Sequence, residues 1–140
     1  MSPQTQYLLD TNILSETRKK NPNEKVIAFL ANTHPSAIYV SVLALGELRK
    51  GIAQKLRTDP ATAAVLAAWV DGLEFSFADR ILGIDAATAR VWGELSAQHP
   101  RPVIDTLLAA TAIVHGLTLV ARNTSDVQDL DVRLLNPFAT

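Results

Sequence analysis

The sequence contains no cysteine. That excludes disulfides and thiolate metal ligation outright and fits a reducing compartment. An excess of charge is missing too: 13 Lys and Arg against 14 Asp and Glu give a net charge of −1, so there is no broad basic footprint for nucleic acid. Basic residues cluster only locally, at Arg18-Lys19-Lys20, Arg49-Lys50 and Arg101, where a solvated helix face or terminus is the ordinary reading. The N-terminal MSPQTQYLLD has neither a basic n-region nor a long apolar h-region, so no secretory signal is expected. Residues 106–121 hold no Asp, Glu, Lys or Arg, but His115 and Gly116 interrupt the stretch and it is too short to span a bilayer. Internal repeats, low-complexity tracts and linkers are also lacking. These absences together point to a cytoplasmic protein with no membrane association.

What is present is ordinary globular composition: 140 residues, 48% apolar and 19% charged. That suits one domain, residues 1–140, with a core of its own. Short apolar runs bounded by turn residues predict strands at residues 7–9, 38–42, 80–84, 118–120 and 132–135. Between them, apolar spacings of three and four predict helices at 12–18, 24–32, 43–55, 61–73, 86–98 and 103–115. Pro60 suits a first helical turn, and Gly116 suits a C-terminal cap. Strands alternating with helices imply right-handed βαβ units. The expected fold class is therefore α/β, a three-layer α/β/α domain with a mostly parallel sheet of about five strands. Ligands of such sheets lie beyond the carboxyl ends of the strands, where strand order reverses.

Against that frame the acidic residues stand out. Asp10 ends the apolar run Tyr7-Leu8-Leu9, and it reads either as a helix cap or as one wall of a site. Asp105 opens a helix with almost no polar face. A helix apolar all round is packed on most sides, and burying an unpaired carboxylate costs several kcal/mol. A site wall is the better reading there, with complementing of the helix dipole as the alternative. Glu47 lies far from the Leu45–Leu48–Ile52 stripe and by spacing alone reads as solvated. Its neighbour Gly46 is costly mid-helix, which a close backbone approach by another element would explain. Asp126 sits in Arg-Asn-Thr-Ser-Asp just past a strand, where site and ordinary turn chemistry balance. Asp129 and Asp131 read as a solvated turn.

Carboxylates gathered in one cleft raise each other's pKa values and coexist ionised when a divalent cation sits among them. All-oxygen ligation selects hard ions, so Mg²⁺, or Mn²⁺, is the expected cofactor. The three histidines form no ligand set: His115 precedes Gly116 at a helix end, while His34 and His99 each precede a proline.

Four segments in order, LLDTNILSE (8–16), VSVLALGELRKGI (40–52), PVIDTLLAATAIVHGLTLVARNTSDV (102–127) and VRLLNPF (132–138), resemble the PIN-domain family. More narrowly they resemble the VapC toxins of type II toxin–antitoxin modules, in their FitB-like branch. The resemblance covers nearly the whole chain. It implies a metal-dependent endoribonuclease whose acids map onto Asp10, Glu47, Asp105 and Asp126, with Thr11 and Asn123 in supporting positions. It also implies a homodimer, an RNA substrate, and a cognate antitoxin that neutralises the toxin in a hetero-oligomer. Glu47 enters the set by resemblance alone. One departure is Val127, where family members commonly carry an aromatic residue.

The chemistry so implied is hydrolysis of RNA phosphodiester bonds. Asp10 and Asp105 would hold Mg²⁺ most directly, Glu47 and Asp126 directly or through water, and Arg49 or Lys50 would contact backbone phosphates. Two alternatives remain open. Another metal-dependent phosphoryl-transfer enzyme is one, although an aspartyl-nucleophile phosphatase wants a second acid where Asn12 stands, and a receiver domain wants an early acidic pair. The other is a catalytically inactive PIN-like partner-binding module, against which the intact four acids speak.

Overall fold

The computed structural model describes residues 4–139; residues 1–3 and 140, which the single-domain reading takes in, lie outside the described residues. Five parallel strands, β1 (Tyr7–Leu9), β2 (Ile38–Ser41), β3 (Ile81–Leu82), β4 (Thr118–Val120) and β5 (Leu134–Leu135), form one sheet in the order β3-β2-β1-β4-β5. The chain thus steps outward from β1 to β3, then crosses back to the other side of β1. Strand order reverses between β1 and β4. Helices fill the crossovers: α1 (Thr11–Glu16) and α2 (Glu24–Ala31), then α3 (Val42–Leu56) and α4 (Pro60–Ser76), then α5 (Ala86–Gln98) and α6 (Val103–His115). No helix among the described residues is long and apolar enough to cross a membrane.

Alternation along the strands gives the sheet two buried faces. Leu8, Leu119, Tyr39, Leu82 and Leu134 point to one side, where Leu108, Ala109 and Ala112 of α6 pack on them. Leu9, Val120, Ile38 and Val40 point to the other, against Ile13 and Leu14 of α1, Val26 of α2 and Ala44 of α3. The expected three layers are present.

Local capping chemistry sets the helix starts, because the first N–H groups of a helix need acceptors. Asn23 accepts from the Lys25 and Val26 amides at α2, Ser41 from Leu43 at α3, Asp59 from Thr62 at α4, and Asp85 from Thr88 at α5. These caps explain the small departures from the sequence expectations. Because the Ser41 hydroxyl caps α3, Val42 is helical instead of ending the strand. β3 is shorter than expected, pairing with β2 only at Ile81 and Leu82, although the Arg80 carbonyl still accepts from the Val40 amide and its guanidinium donates to the carbonyls of Pro35, Ile38 and Ser76. A 3-10 turn at Pro35–Ala37, capped by the His34 ring, was not expected. Gly116 does close α6, at φ 66°, in the left-handed region that glycine occupies without strain. The close approach expected at Gly46 is absent: a Cβ there would meet nothing within 4 Å.

Two buried charged side chains tie segments together. Glu16, 4% exposed, accepts from Lys19 Nζ and from the Asn23 amide, each at 2.9 Å, and these bonds hold its carboxyl below the usual range. Arg101, whose side chain is 1% exposed, donates to the Leu95 carbonyl, Gln98 Oε1 and Asp129 Oδ1. Asp129 also meets His99 Nε2 at 3.3 Å, and its two partners lower its pKa to about 2. Asp129 does lie in a solvated turn, its side chain about half exposed, and it also clamps that turn onto the α5–α6 connection.

Leu8 is fully buried on the central strand, while Val65 on α4 is 62% exposed. Leu8→Ala is expected to cost about 2–5 kcal/mol in urea unfolding and Val65→Ala less than about 0.5 kcal/mol. Equal losses would contradict the assignment of the core.

Candidate functional site

The ladder carries Asp10 one residue beyond β1: its amide donates to the Val120 carbonyl at 2.9 Å. The carboxylate therefore stands above the β1/β4 junction, at the carboxyl ends of both strands. Its Oδ1 accepts from the Thr11 amide at 2.7 Å, so Asp10 caps α1 as well as facing the junction. The cap and site-wall readings describe the same residue.

Asp105 reaches the junction from the first turn of α6, a helix with no side-chain cap, which lies over the β1/β4 face. The two carboxylates line a narrow cleft with Asn123, Leu119, Ala121 and Val127. Its volume, about 10 Å³, suits a single water or ion and nothing larger. Val127, 2% exposed, packs at the base with Leu8 and Leu108. An aliphatic side chain thus fills the position that follows Asp126.

Glu47 comes from α3 and is exposed, yet it is not loose. The Thr11 hydroxyl donates to its Oε1 at 2.6 Å, joining the start of α1 to α3 across 36 positions of sequence. Asp126 stands exposed on the loop after β4, near enough to Asp105 to repel it. In the same loop, Asn123 Oδ1 accepts from the Ser125 amide and hydroxyl, which leaves the amide nitrogen of Asn123 free to donate. The Arg101–Asp129 clamp holds this loop to the segment that begins α6. Nothing in the sequence marks that pair, whose members are 28 positions apart.

Electrostatics separates these acids. Burial first, and then repulsion from Asp105 and Glu47, raise the Asp10 pKa to about 6 against the opposing Thr11 N–H bond. Burial also raises Asp105, followed by repulsion from Asp126 and Glu47. Mutual repulsion thus links all four acids, although among the described residues no three Asp, Glu or His groups stand close enough to bind one ion directly. Two oxygen-donor carboxylates at an ion-sized cleft, each destabilised by unneutralised charge, fit a hard divalent cation. Glu47 and Asp126 stand further out, where contact through water suits their positions.

Of the two expected phosphate contacts, Arg49 is engaged elsewhere. Its Nη2 donates to Asp71 at 2.6 Å and to Glu74 at 3.1 Å, pinning α4 onto α3. Lys50 is exposed on the other side of Glu47.

The PIN domain family matches residues 7–131 of the chain. Toxin FitB of Neisseria gonorrhoeae is 33% identical over 140 residues, a match that takes in 94% of this chain and 97% of that protein. The VapC ribonuclease Y4jK of Sinorhizobium fredii is 32% identical over 94% of this chain and 96% of its own length. Among solved structures, FitAcB from Neisseria gonorrhoeae superposes with a TM-score of 0.86 at 32% identity, covering 96% of this chain and 99% of that one.

The raised pKa of Asp10 makes a prediction with a definite sign. An unfolded Asp ionises near 3.8, so folded-state stability is lost as pH rises from that value through about 6. Asp10→Asn keeps an acceptor for Thr11 but removes the charge. In EDTA it is expected to stabilise the chain by about 2 kcal/mol at pH 8, a gain that vanishes near pH 4. Urea titrations at both pH values check this; a gain independent of pH would contradict it.

Proposed function

The chain belongs to the PIN domain family, and on that premise we propose that it is a Mg²⁺-dependent endoribonuclease, the toxin of a type II toxin–antitoxin pair. The observation that carries this reading is the pairing of Asp10 and Asp105 at an ion-sized cleft where strand order reverses. Relatives named as a toxin and as a VapC ribonuclease, similar over nearly their whole lengths, support the substrate class and the role. The solved FitAcB and FitAB structures support a protein antitoxin as partner in a hetero-oligomer; a homodimeric toxin is part of the proposal and rests on the family resemblance alone.

Asp10 and Asp105 would hold Mg²⁺, or Mn²⁺, with Glu47 and Asp126 contributing through water. When bound, the ion supplies Lewis acidity to the phosphoryl oxygens and makes water at the site a better nucleophile. The chain's own groups do the positioning. The Thr11 amide fixes Asp10 while its hydroxyl fixes Glu47, so one residue sets the spacing of two acids. The free amide nitrogen of Asn123 can donate to a phosphate oxygen from the far side of the cleft. The apolar base formed by Leu108, Leu119 and Val127 excludes bulk water and strengthens the local field.

The test is RNA cleavage by the purified chain with Mg²⁺ and with EDTA. Asp10→Asn and Asp105→Asn are expected to lose on the order of 10³-fold or more in rate with unchanged circular dichroism. Glu47→Gln and Asp126→Asn should lose about 10- to 100-fold and recover partly at higher Mg²⁺. Full activity in EDTA or in Asp10→Asn would overturn the assignment.

A further inference from the structure

Beside the acidic cleft a groove of about 410 Å³ runs between α1, α3 and α4. Thr11 and Glu47 form its inner end, so it opens directly onto the candidate site. Arg18, Lys19 and Lys55 line its length, and Glu47 is the one acid that reaches it. In a chain of net charge −1, such a bias is local. Lys19 bonds Glu16 at 2.9 Å, but Arg18 and Lys55 have no carboxylate partner among the described residues.

The floor is apolar and includes Trp69, which is half-buried on the otherwise alanine-rich α4. The Arg18 guanidinium lies 5.5 Å from the centre of that ring, so a cation and an aromatic surface share one place. The wall that carries Trp69 is fixed, because Arg49 bonds both Asp71 and Glu74 of α4. The engaged Arg49 thus shapes the groove without contacting its contents.

An occupant must satisfy cations and an aromatic ring together and end at the acids. An unpaired nucleotide strand does so: its phosphates neutralise Arg18 and Lys55, and Arg18, drawn from the ring onto a phosphate, leaves the indole to a stacked base. A groove of this size accepts single nucleotides and excludes a double helix. We propose that the α1–α3–α4 groove holds the single-stranded RNA flanking the scissile phosphate, with a base on Trp69 and phosphates on Arg18 and Lys55. This rests on the ribonuclease reading above. An acidic amphipathic peptide would also fit the apolar floor, but cations without carboxylate partners leading to the proposed phosphodiester-cleaving centre favour the polyanion.

The experiment uses the full chain as Asp10→Asn with Trp92→Phe, so that RNA survives and Trp69 is the sole tryptophan. A short oligouridylate titrated in EDTA is expected to quench Trp69 saturably. Its log affinity should fall against log salt with a slope of about −1.4 to −2. Arg18→Gln and Lys55→Gln, both at surface positions, should each lower that slope by about 0.7. Trp69→Leu, followed by anisotropy of a labelled oligomer, should weaken binding about 5- to 100-fold. In the active chain the same three substitutions should raise KM and leave kcat within about twofold. Absence of quenching, an unchanged slope, or quenching by an acidic peptide but not by oligouridylate overturns the proposal. Specific binding with no metal-dependent cleavage by the unsubstituted chain supports the groove and sinks the ribonuclease reading. Cleavage with an unaltered KM in all three variants does the reverse.

Discussion

Two carboxylates repel each other at the end of a parallel sheet, and the packing of that sheet keeps them together. Asp10 is bound into the β1–β4 ladder through its amide, and Asp105 is fixed by α6, whose inner face is locked against Leu8 and Leu119. Moving either acid away would require disturbing a core buried on both faces. Burial first, and then the concentration of negative charge, raise the pKa of both residues. Groups held at such a cost are candidates for function.

Around that pair the remaining polar groups act as spacers. Thr11 holds Asp10 with its amide and Glu47 with its hydroxyl. Arg101 and Asp129 hold the loop that carries Asn123 and Asp126 to the segment preceding Asp105. Arg49, by bonding Asp71 and Glu74, sets α4 against α3. Each arrangement uses a charged or hydroxylated side chain to fix a distance between two backbone segments, and none of the three shares its partners with another. The supports of the cleft are therefore separable, although they converge on one centre.

The sheet, its layers and most helices were legible from periodicity. β1, β4, α5 and α6 occupy the expected residues because their ends carry unambiguous signals: an acid after an apolar run, Asp85 as a cap, the Pro-Arg-Pro stop and Gly116. Boundaries slipped where a side chain had two possible uses, as at Ser41, which both ends a strand and caps a helix. Arg49 likewise has a use that its neighbours in sequence do not show. A basic residue beside Glu47 suggests phosphate, whereas its actual partners lie 22 and 25 positions away on another helix.

By itself the sequence determined that the strands run parallel and that Asp10 and Asp105 stand at the ends of buried elements. These follow from local periodicity and capping, which depend on near neighbours. Only the tertiary structure decided which acids share the narrow cleft and which remain outside it. It also decided that Thr11 bridges Asp10 to Glu47, and that Arg18, Lys55 and Trp69 line one groove. Those relations depend on strand order, and strand order is set by how crossover helices cover a twisted sheet, which no short window of residues records.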